Sequence, residues 1–177
     1  MPSRSPSMLS ANKTLIIILL AILVGAGALF LTKDSSGRQA APDLTYVNLK
    51  GEKITSTSLR GKVYMVNFWA TSCTTCVAEM PEMIGTYDKF HSKGLEFVAV
   101  AMRYDPPNYV INFTETRALP FHVALDVEGK LAEAFGDVKL TPTTFLIDKQ
   151  GRIIKRYVGK PSFDELEEII GKELSAS

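Results

Sequence analysis

The chain has 177 residues, 46% of them apolar, with 20 Lys or Arg against 19 Asp or Glu, a formal charge of +1 and two cysteines. At about 100 to 200 residues per domain, that length holds one globular domain with appendages and excludes a two-domain enzyme. The balanced charge, with no basic block longer than two residues, excludes the footprint of a nucleic-acid binder, and two thiols are too few for a disulfide scaffold or a four-thiolate zinc site.

Residues 1–13 form a Ser/Pro-rich tail containing Arg4 and Lys13, and residues 15–31 (LIIILLAILVGAGALFL) carry no charge. With Thr14 and Thr32 this stretch reaches about 28 Å as a helix, close to the roughly 30 Å hydrocarbon core of a bilayer. Two readings stand. Residues 14–32 are an uncleaved single-pass anchor, or they are a signal peptide cut after the A-x-A-like Ala26-Gly27-Ala28. Continuation of the apolar run through Leu29, Phe30 and Leu31 favours the anchor. Arg4 and Lys13 are matched by Lys33 and Arg38, so only the terminal amine biases orientation, toward a cytoplasmic tail and a domain outside a bacterial inner membrane. Residues 33–42 (KDSSGRQAAP) read as a linker, and residues 43–177 as the globular domain.

Within that domain strand-like and helix-like patterns alternate. Leu44 to Leu49, a turn at Lys50-Gly51-Glu52-Lys53 and Ile54 predict a small hairpin. Val63 to Ala70 and Phe97 to Met102 are short apolar runs expected of central strands covered on both faces. Cys73 to Phe90 has helical spacing interrupted by Pro81, where a kink is expected. Tyr109 to Arg117 and Leu131 to Phe135 read as helices and Val123 to Asp126 as a strand. Thr144 to Asp148 and Ile153 to Val158 flank the turn Lys149-Gln150-Gly151-Arg152 as a second hairpin. Ser162-Phe163-Asp164-Glu165 has the form of a capping box opening a last helix to about Leu174. The predicted class is α/β, a central mixed sheet flanked by helices with an amino-terminal β-hairpin extension.

The segment Phe68-Trp69-Ala70-Thr71-Ser72-Cys73-Thr74-Thr75-Cys76 places a Cys-x-x-Cys where a buried strand meets a helix. That spacing brings both sulfurs to the first helical turn, close enough to bridge. Free backbone N–H groups and the helix dipole there favour a thiolate on the amino-terminal sulfur. Cys73 is thus the expected exposed, attacking thiol and Cys76 the buried, resolving one. The competing readings are a permanently closed surface disulfide or half a metal site, for which no second ligand pair exists. Trp69, four residues before Cys73, reads as a core-edge aromatic that also shields the dithiol at the substrate face. Glu79 follows Cys76 by three residues on the same helical face; spacing alone allows an ordinary, partly exposed helix glutamate that contributes little to folding.

Val66-Asn67-Phe68-Trp69-Ala70, the Cys73 and Cys76 pair, Glu79-Met80-Pro81, and Thr141-Pro142-Thr143 before a strand resemble, in order and spacing, the TlpA/ResA family of membrane-tethered, thioredoxin-like thiol-disulfide oxidoreductases. The resemblance covers about Pro42 to Leu174. It implies a thioredoxin-like fold and a reductase of disulfides in exported proteins, such as apocytochrome c or copper-centre proteins. It also implies a membrane electron donor of the DsbD/CcdA type and no cofactor beyond the redox-active Cys73–Cys76 disulfide. Pro142 matches the family's cis-proline beside the dithiol, whereas a bare X-Pro bond is cis only about one time in twenty. A cis bond there would expose the backbone groups of Thr141 to an extended substrate segment. Glu79 falls on the family's active-site glutamate, able to hold or relay the proton of the buried thiol. Asn67 stands where ordinary thioredoxin has an acid, a lack that Glu79 would supply.

An alternative of another class is a copper-binding assembly chaperone with Cys73, Cys76 and His122 as ligands. That family usually spaces its cysteines by three residues, and the six methionines make no cluster. Thiol peroxidases require a proline at fixed spacing before the reactive cysteine, and residues 66–73 contain none.

Overall fold

A computed structural model describes residues 37–176, and the candidate anchor at residues 14–32 lies outside them. Among the described residues no helix is long and apolar enough to cross a membrane. The elements, in chain order, are β1 (Thr45–Val47), β2 (Lys53–Thr55), β3 (Val63–Trp69), α1 (Thr74–Phe90), a short 3-10 turn (His91–Lys93), β4 (Leu95–Ala101), α2 (Pro107–Thr116), β5 (His122–Leu125), α3 (Lys130–Ala134), β6 (Thr143–Ile147), β7 (Ile153–Val158) and α4 (Phe163–Ser175).

Five strands form one sheet in the order β5-β4-β3-β6-β7. The β3–β4 and β4–β5 pairs are parallel, and β6 and β7 are antiparallel to their neighbours. The apolar run of β3, broken only by Asn67, is explained by its central place, with all seven residues buried. Its alternation divides the core. Val63, Met65 and Trp69 face the cluster that takes in Met80, Met83, Leu166 and Ile170 of α1 and α4; Tyr64, Val66 and Phe68 face the one that takes in Tyr46, Ile54, Ala132 and Phe135. Asn67 therefore lies on the α1 face with Val63, Met65 and Trp69. This is the mixed, helix-flanked sheet expected from the sequence.

The hairpin β1–β2 closes through Asn48, whose side-chain oxygen accepts from the N–H groups of Lys50 and Glu52 at 3.0 and 2.9 Å. An isolated bridge from Asn48 to Ala124 and a bond from Leu49 N–H to the Val123 carbonyl (3.0 Å) cover the β5 edge of the large sheet. Residues 38–42, assigned above to the linker, are tied to the domain. Ala40 bridges Arg152, and Arg38 pairs with Asp148 at 3.1 Å and Glu173 at 2.7 Å. Helix α2 starts two residues earlier than expected because Pro107 fits its first turn, where no N–H is needed. The capping box is not formed. Ser162 occupies the cap position without a side-chain cap bond, and Glu165 instead pairs with Lys155 of β7.

Candidate active site

The sheet's register collects the sequence-predicted residues at one end. Strand β3 ends at Trp69, whose carbonyl accepts from Met102 N–H just past β4 (3.0 Å). The loop Ala70-Thr71-Ser72 then turns the chain into α1, with Cys73 N–H bonded to the Ala70 carbonyl (3.1 Å). Cys73 is the N-cap of α1, in extended backbone conformation, and its sulfur accepts from Cys76 N–H at 3.2 Å. A disulfide joins the two cysteines, with their Cα atoms 5.2 Å apart. Cys76 is fully buried. Cys73 is half-buried rather than fully exposed, because it packs against the same apolar cluster that contains Trp69 and Cys76. Cys73 thus combines partial exposure with an N–H donor aimed at its sulfur, the two conditions that favour a reactive thiolate.

Trp69 is entirely buried and packs against Phe113 of α2 with ring centroids 5.2 Å apart. It lies deeper than the core-edge position expected of it. Strand β6 runs antiparallel to β3 with Thr143 opposite Phe68, so Thr141 and Pro142 arrive at the same end of β3 as the cysteine loop. The Thr141–Pro142 peptide is cis. Pro142 is buried, its carbonyl accepting from Gly159 N–H at 2.8 Å, whereas Thr141 is half-buried and reached by the Tyr104 hydroxyl at 3.3 Å.

Glu79 differs most from its bare sequence reading. Only 1% of it is exposed, so it is not a solvated helix residue. The amide nitrogen of Asn67 donates to Glu79 Oε1 at 3.3 Å and to Thr144 Oγ1 at 2.9 Å. Glu79 Oε2 and Asn67 Oδ1 are buried with no hydrogen-bond partner among the described residues. Burial pushes the Glu79 carboxyl up to about 7, against smaller opposing effects of the Asn67 bond and the Lys160 charge. A carboxyl tuned to neutral pH one turn from a buried thiol can both take and return a proton.

The sequence pattern of the Redoxin family matches residues 36–170. The thiol-disulfide oxidoreductase ResA of Bacillus thuringiensis is 35% identical over 165 residues, covering 88% of this chain and 93% of that protein. ResA of Bacillus subtilis is 35% identical over 148 residues, covering 80% and 82%. Among solved structures, a thioredoxin-type protein of Neisseria meningitidis superposes with a TM-score of 0.74 at 36% identity, covering 79% of this chain and 93% of its own. The chain belongs to the redoxin family. It is a ResA-like thiol-disulfide oxidoreductase on a thioredoxin fold.

In this redoxin the copper ligand set Cys73, Cys76 and His122 is not assembled. His122 pairs in register with Val98, and Val98 with Val66, three residues before the end of β3. At about 3.3 Å per residue that leaves His122 roughly 10 Å short of Trp69 along the sheet, with the cysteine loop beyond. Its Nδ1 is instead within 3.3 Å of Asn48 Nδ2. His91 is occupied elsewhere, with Nδ1 3.1 Å from the Leu95 carbonyl and its ring stacked on Tyr87. Sequence reasoning overlooked Thr144 and Asp105. Thr144 carries no signal beyond the alternation that puts it opposite Asn67 on β6. Asp105, directly before Pro106-Pro107 at the end of an apolar strand, was the one available cue to a residue fixing a loop.

Burial of Glu79 also makes the stability of this redoxin depend on pH. Its folded value of about 7 stands above the ordinary 4.5, so its contribution is fully present below about pH 4.5 and is lost as pH rises through 7. That difference corresponds to about 3 kcal/mol. Glu79→Gln removes the ionisation, so the variant should gain about 3 kcal/mol relative to the parent between pH 4 and pH 9. Urea unfolding of the disulfide forms across that range measures it; a gap independent of pH would show that Glu79 ionises as a solvated carboxylate does.

Proposed function

We propose that this oxidoreductase works as a reductase of disulfides in exported proteins, tethered to a bacterial inner membrane with its catalytic domain in the periplasm. Its clients belong to cytochrome c maturation or to respiratory copper-centre assembly. The observation that carries the reading is the Cys76 N–H bond to the half-buried Cys73 sulfur at the start of α1. In the dithiol form this donor favours the Cys73 thiolate, which attacks a client disulfide and expels one client thiolate, leaving a mixed disulfide. Cys76 passes its proton to the Glu79 carboxylate and attacks the Cys73 sulfur, expelling the second client thiolate and closing the Cys73–Cys76 bond. Two electrons have moved to the client. A membrane donor of the DsbD/CcdA type returns them as a dithiol, and Glu79 gives its proton back.

Thr141 is the docking position for the client in this reading, since, half-buried just before β6 and at the same end of β3 as the cysteine loop, it offers an extended segment backbone hydrogen-bond partners. Buried Trp69 seals the inner side of the pair. Insulin reduction tests the class of reaction. The full chain with dithiothreitol should accelerate precipitation of the insulin B chain well above dithiothreitol alone; no acceleration would remove the reductase reading.

A further inference from the structure

The loop between β3 and α1 leaves the core after buried Ala70. Thr71 is half-buried and Ser72 exposed, yet this loop sets where Cys73 stands relative to Cys76. What holds it is a carboxylate from elsewhere in the chain. Asp105, between β4 and α2, is 4% exposed. Its Oδ2 accepts from Thr71 N–H at 2.6 Å and its Oδ1 from the Thr71 hydroxyl at 2.5 Å. With one oxygen on the main chain and one on the side chain, Asp105 fixes both the backbone and the rotamer of a residue two positions before Cys73. Its own segment is anchored in turn. Asp105 N–H bonds to the Met102 carbonyl at 2.9 Å, and Met102 N–H bonds to the Trp69 carbonyl at 3.0 Å. Neighbouring Tyr104 reaches Thr141 before the cis-proline at 3.3 Å. The segment Met102 to Asp105 thus touches the cysteine loop on one side and the cis-proline loop on the other.

We propose that Asp105 is the positioning residue of the dithiol, acting through Thr71 to hold Cys73 where ring closure with Cys76 is favourable. Small displacements of a reacting group cost large factors in effective concentration, and the stability of the Cys73–Cys76 disulfide relative to a reference dithiol measures that concentration directly.

The test is equilibrium of the full chain with dithiothreitol buffers, read by the fluorescence of Trp69, the sole tryptophan. Asp105→Ala should weaken ring closure about tenfold, a potential about 30 mV less negative. Thr71→Val, which loses the hydroxyl bond and keeps the N–H bond, should weaken it about threefold. Asp105→Asn can accept from Thr71 N–H and donate to its hydroxyl, so it should stay within about twofold of the parent. An Asp105→Asn disulfide as weak as that of Asp105→Ala would assign the effect to charge and overturn the proposal. An unshifted Asp105→Ala would overturn it too. If Asp105→Ala does not fold, an unshifted Thr71→Val does the same. The proposal rests on Cys73 being the attacking thiol. Iodoacetamide mapping of the reduced parent tests that separately, since labelling Cys76 first would remove that reading without moving the equilibria above.

Discussion

A reduction potential near −270 mV, the thioredoxin value, is expected for the Cys73–Cys76 couple, far from the roughly −120 mV of a strong periplasmic oxidant. Strong oxidants owe their potential to a thiolate so well stabilised that the disulfide is comparatively unstable. Here the residues between the cysteines are Thr74 and Thr75, both exposed and neither charged. The Cys73 sulfur receives one N–H, from Cys76, together with the field of the helix terminus. No cation lies between the sulfurs to make the disulfide strongly oxidising. At about 1.4 kcal/mol per 30 mV, the gap between the two potentials corresponds to about 7 kcal/mol of disulfide stability. Such a couple remains reduced in an oxidising compartment only while a partner supplies electrons, which is the role the proposed membrane donor would fill. Equilibration with dithiothreitol or glutathione buffers gives the value. A potential above about −180 mV would replace the reductase with an oxidase or isomerase.

The second large effect separates the two cysteines. Cys73→Ser should lose client reduction altogether, because the remaining thiol is fully buried and has no route to a client disulfide. Cys76→Ser should keep the first attack and lose the second, so it accumulates clients joined covalently to Cys73. Non-reducing electrophoresis of the full chain incubated with a disulfide-bearing client distinguishes them. Equal amounts of adduct from both variants would contradict the division of labour, and the trapped species identifies the client by mass.

Much of this was legible in the sequence because it depends on local patterns. The run of Val63 to Trp69, apolar except for Asn67, announced a central strand. Two cysteines at its junction with a helix announced a dithiol at a helix terminus. Pro142 was legible only through resemblance, since nothing local to Thr141-Pro142-Thr143 separates a cis from a trans bond. The parts that stayed hidden are set by contacts distant in the chain. Glu79 looked solvated because helical spacing says which residues share a face and not how deeply that face is covered; β3 and β6 bury it beside Asn67 and Thr144. Asp105 lies 34 residues from Thr71 in sequence and meets it because β3 and β4 are parallel neighbours ending together. Glu165 satisfied the pattern of a capping box, but its carboxylate is held by Lys155 on the adjacent strand. The copper reading failed for the same reason, since composition counts His122 without saying at which end of β5 it stands.

The most direct test of the assignment is which sulfur reacts first. The full chain, reduced with dithiothreitol and freed of it, is exposed to limiting iodoacetamide near pH 7, and the labelled peptide is identified by mass. Half-buried Cys73, with the Cys76 N–H aimed at its sulfur, should be modified at least about ten times faster than fully buried Cys76. Equal rates, or earlier modification of Cys76, would contradict the account.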